Sequence, residues 1–162
     1  MKTTGKRFGA GKGWRLGAKI GTVAALSAVL LGGCGRIMTL LHGNIKPPAE
    51  SEFGLGPRVS SGGLYQASIE PGEPLRTRRM QTVKLLVRTA EQAPVEGASI
   101  AVDGGMPQHG HGLPTKPRVT RALGDGTYEV EGLKFNMGGW WVVKFRIDSA
   151  AGTDSVTFNL AL

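Results

Sequence analysis

Hydrophobic and polar residues alternate with period two along much of the chain beyond Gly63. Val83, Leu85 and Val87 alternate with Lys84 and Arg88, Tyr128 and Val130 with Glu129 and Glu131, and Trp141, Val143, Phe145 and Ile147 with Lys144 and Arg146. Successive side chains of a strand point to opposite faces, so each run has one dry face and one wet face. Shorter runs at Leu64–Ile69, Ala98–Val102, Val119–Leu123 and Val156–Leu160 complete the pattern. About seven short strands in about a hundred residues predict an all-β, immunoglobulin-like β-sandwich over residues 63–162.

Turn chemistry marks the boundaries. Gly124-Asp125-Gly126 predicts a tight hairpin between the fourth and fifth of these strands, because Asp-Gly tolerates the positive φ of a primed turn. Ala150-Ala151-Gly152 separates the last two. The predicted core is Leu85, Val87, Ile100, Tyr128, Val130, Leu133, Trp141, Val143, Phe145, Val156 and Phe158. At roughly 1.5 to 3 kcal/mol for each large apolar side chain fully buried, this set needs no metal or disulfide to support it. Trp140 and Trp141 are adjacent on a strand, so one of the two must face outward.

The amino-terminal third has no such alternation. Residues 1–19 are basic and glycine-rich, residues Ile20–Leu31 are apolar, and Leu31-Gly32-Gly33-Cys34 follows. A basic region, an apolar stretch too short to span a bilayer comfortably, and small residues predict an export signal over residues 1–33. Leu31-Gly32-Gly33-Cys34 resembles a bacterial lipobox, which implies cleavage before Cys34 and lipidation of its thiol. Cys34 is the only cysteine in the chain, so an exported product has no internal disulfide, and lipidation accounts for the residue. The alternative is an uncleaved signal anchor with a bystander thiol. Gly35, rather than Asp, after the cysteine implies the outer membrane, facing the periplasm, in a Gram-negative host. Residues 34–62, rich in proline and glycine, are expected to form a flexible tether to the folded body, with His42 solvated within it.

Charge changes meaning once the signal is set aside. The formal net charge is +8, but six of the 20 basic residues and none of the 12 acidic residues precede Cys34. A nearly neutral body carries no basic stripe for nucleic acid beyond Arg76, Arg78 and Arg79, read here as a solvated turn. Gly9-Ala10-Gly11-Lys12-Gly13 hints at a phosphate loop, yet it lacks the following Ser or Thr and a preceding strand.

Candidate chemistry gathers in one segment. Asp103-Gly104-Gly105-Met106-Pro107-Gln108-His109-Gly110-His111-Gly112 places a thioether and two imidazoles within six positions, among glycines that let the backbone bend around a ligand. Thioether with imidazole suits copper better than magnesium or calcium. If strands alternate up and down, Met80, this loop, and Met137 of Asn136-Met137-Gly138-Gly139-Trp140 share one pole. The candidate metal ligands are therefore Met106, His109, His111 and Met137. The competing reading is structural: the imidazoles hydrogen-bond the loop backbone, and the methionines fill the space beside Trp140 or Trp141.

Gly105-Met106-Pro107, His109-Gly110-His111-Gly112, Gly126-Thr127-Tyr128 and Leu133-Lys134-Phe135-Asn136-Met137-Gly138-Gly139-Trp140 together resemble the YtkA-like family and the related FixH group of membrane-attached bacterial proteins. The resemblance covers roughly the last hundred residues. It implies an extracytoplasmic β-sandwich with a role in copper handling or in the assembly of respiratory oxidases. FixH-type proteins carry a transmembrane helix before the domain where this chain carries a lipobox, which weakens the transfer of the oxidase role.

Catalytic signatures are absent from the sequence: there is no Gly-x-Ser-x-Gly elbow, no helical His-Glu pair and no paired carboxylates outside exposed strand positions. Two non-enzymatic expectations follow. One is a lipid-anchored accessory protein that binds copper for delivery or for enzyme assembly. The other is an adaptor sandwich without metal that docks on an envelope protein partner.

Overall fold

A computed structural model describes residues 45–162. The expected export signal over 1–33, the expected lipidation site Cys34 and His42, expected to be solvated, lie outside these residues. Nine strands form two antiparallel sheets: β1 (Arg58–Val59), β2 (Tyr65–Pro71), β3 (Met80–Thr89), β4 (Ser99–Met106), β5 (His111–Gly112), β6 (Arg118–Gly124), β7 (Thr127–Lys134), β8 (Trp140–Ser149) and β9 (Gly152–Ala161). One sheet runs β1-β2-β3-β7-β6 and the other β5-β4-β8-β9. The seven strands expected from the alternation are all present, in the all-β sandwich that the pattern predicts, and β1 and β5 are added to them.

Burial follows the period-two pattern. On β8, Trp141, Val143, Phe145 and Ile147 are fully buried while Lys144, Arg146 and Asp148 are exposed. Every predicted core residue is buried except Ile100, which packs partly buried against the core. Tyr65, Ala67, Ile69, Val83, Val95, Met106, Phe135, Ile147 and Leu160 complete the core. Tyr128 is buried because its hydroxyl is satisfied twice, donating to the Val95 carbonyl at 2.7 Å and accepting from the Ala98 amide at 3.0 Å. The β6–β7 hairpin turns at Asp125 and Gly126, with φ of 51° and 66° as a primed turn requires. At the Ala150-Ala151 turn, Ser149 pairs with Gly152.

The described part of the expected tether includes docked segments. A single 3-10 turn spans Glu50–Glu52, Phe53 bridges Asn159 in parallel, and the Gly54 amide donates to the Asn159 carbonyl at 2.9 Å. Farther on, the Ser61 amide donates to the Ser155 carbonyl, while β1 pairs with β2. Residues 50–63 therefore lie along β9 and cover part of an otherwise open sheet edge. Because the nineteen buried apolar residues among those described run from Tyr65 to Leu160 and pack in one cluster, residues 45–162 carry a core of their own.

Asp154 fastens the end of this strap. Its carboxylate accepts from the Gly62 amide at 2.8 Å, the Leu64 amide at 3.3 Å and the Ser155 amide at 2.7 Å. The Ser60 hydroxyl and then these amides hold its carboxyl below the usual range, against the opposing effect of burial. A depressed carboxyl pKa contributes stability above the unfolded value and loses it as pH falls through the folded one. Protection of the Gly62 and Leu64 amides from hydrogen exchange should therefore fall on acidification below about pH 4, the ordinary carboxylate range. In Asp154→Asn it should already be low at neutral pH, and equal protection in the two proteins would refute the role given to Asp154.

Candidate metal site at the methionine pole

The pole predicted from strand parity exists in the structure. Met80 pairs with Lys134 at the end of β7, the Arg78 amide donates to the Phe135 carbonyl at 2.5 Å, and Gly139 exchanges two backbone hydrogen bonds with Leu162. The loops 72–79, 107–117 and 135–139 and the carboxyl end thus meet at one end of the sandwich.

The segment Asp103–Gly112 is more ordered than an extended loop. Asp103–Met106 continues β4, Pro107–His109 forms one 3-10 turn, and His111–Gly112 returns as β5. Two features close the reversal: the Gly110 amide donates to the Met106 carbonyl at 3.0 Å, and Gly110 takes the left-handed conformation at φ 65°. The resulting register is Gly105 to Gly112 and Met106 to His111. Directly opposed residues of an antiparallel pair project to the same side, so one thioether and one imidazole share a face of this ribbon.

The two side chains meet different surroundings. Met106 is 1% exposed and belongs to the core, and its methyl lies so close to Gly139 that a Cβ there would come within 2.8 Å. His111 is exposed at the rim, with its ring edge-on to Trp141 at 5.6 Å between centroids. His109, also exposed, stacks on His111 at 6.0 Å. The Trp141 indole N–H donates to the Met137 carbonyl at 3.0 Å, which ties the 135–139 turn to the same cluster, and the Met137 side chain is 40% exposed. Met80 is 63% exposed and takes no part in these contacts.

Trp140 and Trp141 divide as their spacing requires. Trp141 is fully buried against Phe135, at 5.3 Å between centroids, whereas Trp140 faces outward and donates to the Asn159 side chain at 2.9 Å. A shallow depression of about 430 Å³ opens over Gly104–Pro107, Gly110–Gly112, Val142 and Lys144, so His111 is reachable from solvent. Gly105 is obligatory here, since a Cβ on it would collide with the His111 carbonyl oxygen.

The donor set limits which ion fits. Among the described residues, no three His, Cys, Asp or Glu side chains cluster in a way that could hold a metal. The side-chain donors that a metal would meet at this pole are the two imidazoles and thioether sulfur. Soft sulfur with imidazole is suited to copper and poorly suited to calcium or magnesium, which take oxygen. His111 Nδ1 lies 3.0 Å from the Gly112 carbonyl, a contact that leaves Nε2 as the nitrogen free for a ligand.

The YtkA-like family model matches residues 62–146, a span that takes in β2 through most of β8 and both histidines of the ribbon. It ends at Arg146, before β9 supplies Val156, Phe158 and Leu160 to the core. No curated protein matches the chain. Among solved structures, the chain is similar to the ZirS C-terminal Domain at 12% identity and a TM-score of 0.37, over 95% of this chain and 98% of that one.

Proposed function

The chain belongs to the YtkA-like family, and from that premise we propose that it is a membrane-anchored extracytoplasmic accessory lipoprotein that binds copper at its methionine pole. The lipid would be carried by Cys34, and the copper would be cargo for delivery or for the assembly of an envelope enzyme. The observation that carries the copper reading is the pairing of Met106 with His111, beside the His109 ring. His109 and His111 would supply nitrogen and Met106 and Met137 sulfur, a set matched to Cu(I), which accepts soft donors and low coordination numbers. The exposed imidazoles would capture the ion, and the buried thioether would then engage it from the protein side.

The test is a titration of residues 45–162 with Cu(I) and with Cu(II) against a competing chelator. One tight equivalent of Cu(I) per chain is expected. Weak, unsaturable binding of both ions would remove the copper role. The adaptor reading would then stand, favoured by the burial of Met106 in the core, where packing alone accounts for it.

A further inference from the structure

The folded body is nearly neutral as a whole but strongly polarised along its long axis. Arg76, Arg78, Arg79, Lys116 and Lys134 lie in or beside the loops of the methionine pole, and Lys46 lies at the chain entry. The entry belongs to the same pole because the Gln108 side chain donates to the Ile45 carbonyl. Sharing this end with the six cations are the side-chain carboxylates of Glu50, Glu52 and Glu73 and the carboxylate at Leu162. The opposite end carries Glu91, Glu96, Asp125, Asp148 and Asp154 against Arg88 and, one register step in from Asp154, Arg146.

The polar cations are also unneutralised locally. The ion pairs among the described residues are Arg88–Asp125 and Arg121–Glu129, and neither involves the pole. Arg76, Arg78 and Arg79 are all exposed. Exposed apolar side chains lie on the same surface: Ile45 at 39%, Met80 at 63% and Met137 at 40%. Unpaired cations interspersed with a few solvent-facing apolar groups match a bilayer interface of anionic headgroups, which takes up charge at its surface and apolar side chains just beneath it.

We infer that the methionine pole is a membrane-docking surface that seats on anionic phospholipid, with the Arg76–Arg79 loop at its centre. Docking turns the acidic pole outward and holds the Met106–His111 ribbon against the bilayer, where a membrane-embedded partner could be reached. The direction of chain entry agrees with this orientation. Ile45 follows Cys34 by eleven positions, a contour of at most about 40 Å, so a lipid on Cys34 would keep this pole, rather than the acidic one, near the surface. The inference does not depend on that lipid or on copper, because the charges and apolar groups belong to residues 45–162.

The experiment is vesicle co-sedimentation of residues 45–162, without lipid, on phosphatidylglycerol/phosphatidylethanolamine vesicles and on pure phosphatidylcholine vesicles. Binding is expected on the anionic vesicles alone, and it should weaken severalfold between about 50 mM and about 500 mM salt as the Debye length shrinks. Each cation near an anionic surface accounts for roughly fivefold in binding, so Arg78→Glu/Arg79→Glu should lose roughly 25-fold or more. Lys84→Glu/Arg146→Glu, which changes net charge equally at exposed positions away from the pole, should lose much less. Thermal melts establish that both variants are folded. No binding by the parent protein, or equal losses in the two double variants, would overturn the inference.

Discussion

Trp141→Ala should destabilise the domain by about 3–5 kcal/mol, the cost of emptying a large aromatic site in a close-packed core, and lower the melting temperature by roughly 10–20 °C. Trp141 is fully buried, in edge contact with Phe135, and lies at the pole end of β8, the strand between β4 and β9. Its removal also leaves the Met137 carbonyl without the indole N–H that it accepts at 3.0 Å. Trp141→Phe should cost less, because a ring remains between Phe135 and His111 and only the polar tether to the 135–139 turn is lost. Equilibrium urea denaturation of residues 45–162 measures both. A loss below about 1 kcal/mol for the alanine variant would mean that the pole is not built on this side chain.

The same residue shows how much of this protein was legible as sequence. The alternation across Trp141, Val143, Phe145 and Ile147 marks β8 without ambiguity, because four apolar positions in period two leave one assignment of faces. Asp125-Gly126 fixes the β6–β7 turn by local sterics alone. Strand parity then brings Met80, the histidine segment and Met137 to one end, which is where they lie.

What the pattern does not carry is anything shorter than its own period. Strands β1 and β5 have two residues each, too few to alternate, and they exist because longer neighbours offer them a ladder. The docking of residues 50–63 along β9 is equally invisible, since its bonds are mostly between backbone groups and its side-chain anchor, Asp154, lies about ninety residues away. Tyr65 escapes the reading because the preceding Leu64 is also apolar, and only the register against Thr89 decides that Tyr65 points inward and Leu64 outward. Within the candidate site, sequence names the candidate donors but not their pairing. A turn one residue longer between β4 and β5 would shift the register and place Met106 and His111 on opposite faces of the ribbon.

That dependence on register sets the expectation for the imidazoles. His109→Ala/His111→Ala should lower copper affinity by roughly 100-fold or more, since loss of groups that merely orient a ligand already costs 10- to 100-fold in metal sites, and these two would be the nitrogen donors themselves. Both rings are exposed and the only hydrogen bond either ring makes among the described residues is the His111 contact to Gly112, so the fold should tolerate their removal, with a change in unfolding free energy below about 0.5 kcal/mol. Large loss of affinity without loss of stability is the signature of a ligand, whereas side chains that only brace the ribbon would lose stability first. Gly105→Ala offers the complementary case. Its histidines are intact, but the added methyl meets the His111 carbonyl and must displace β5, and with it the pairing of His111 to Met106. A copper site made by that pairing should weaken in Gly105→Ala almost as much as in the double variant. Full affinity in Gly105→Ala would show that the imidazoles bind copper without the buried sulfur.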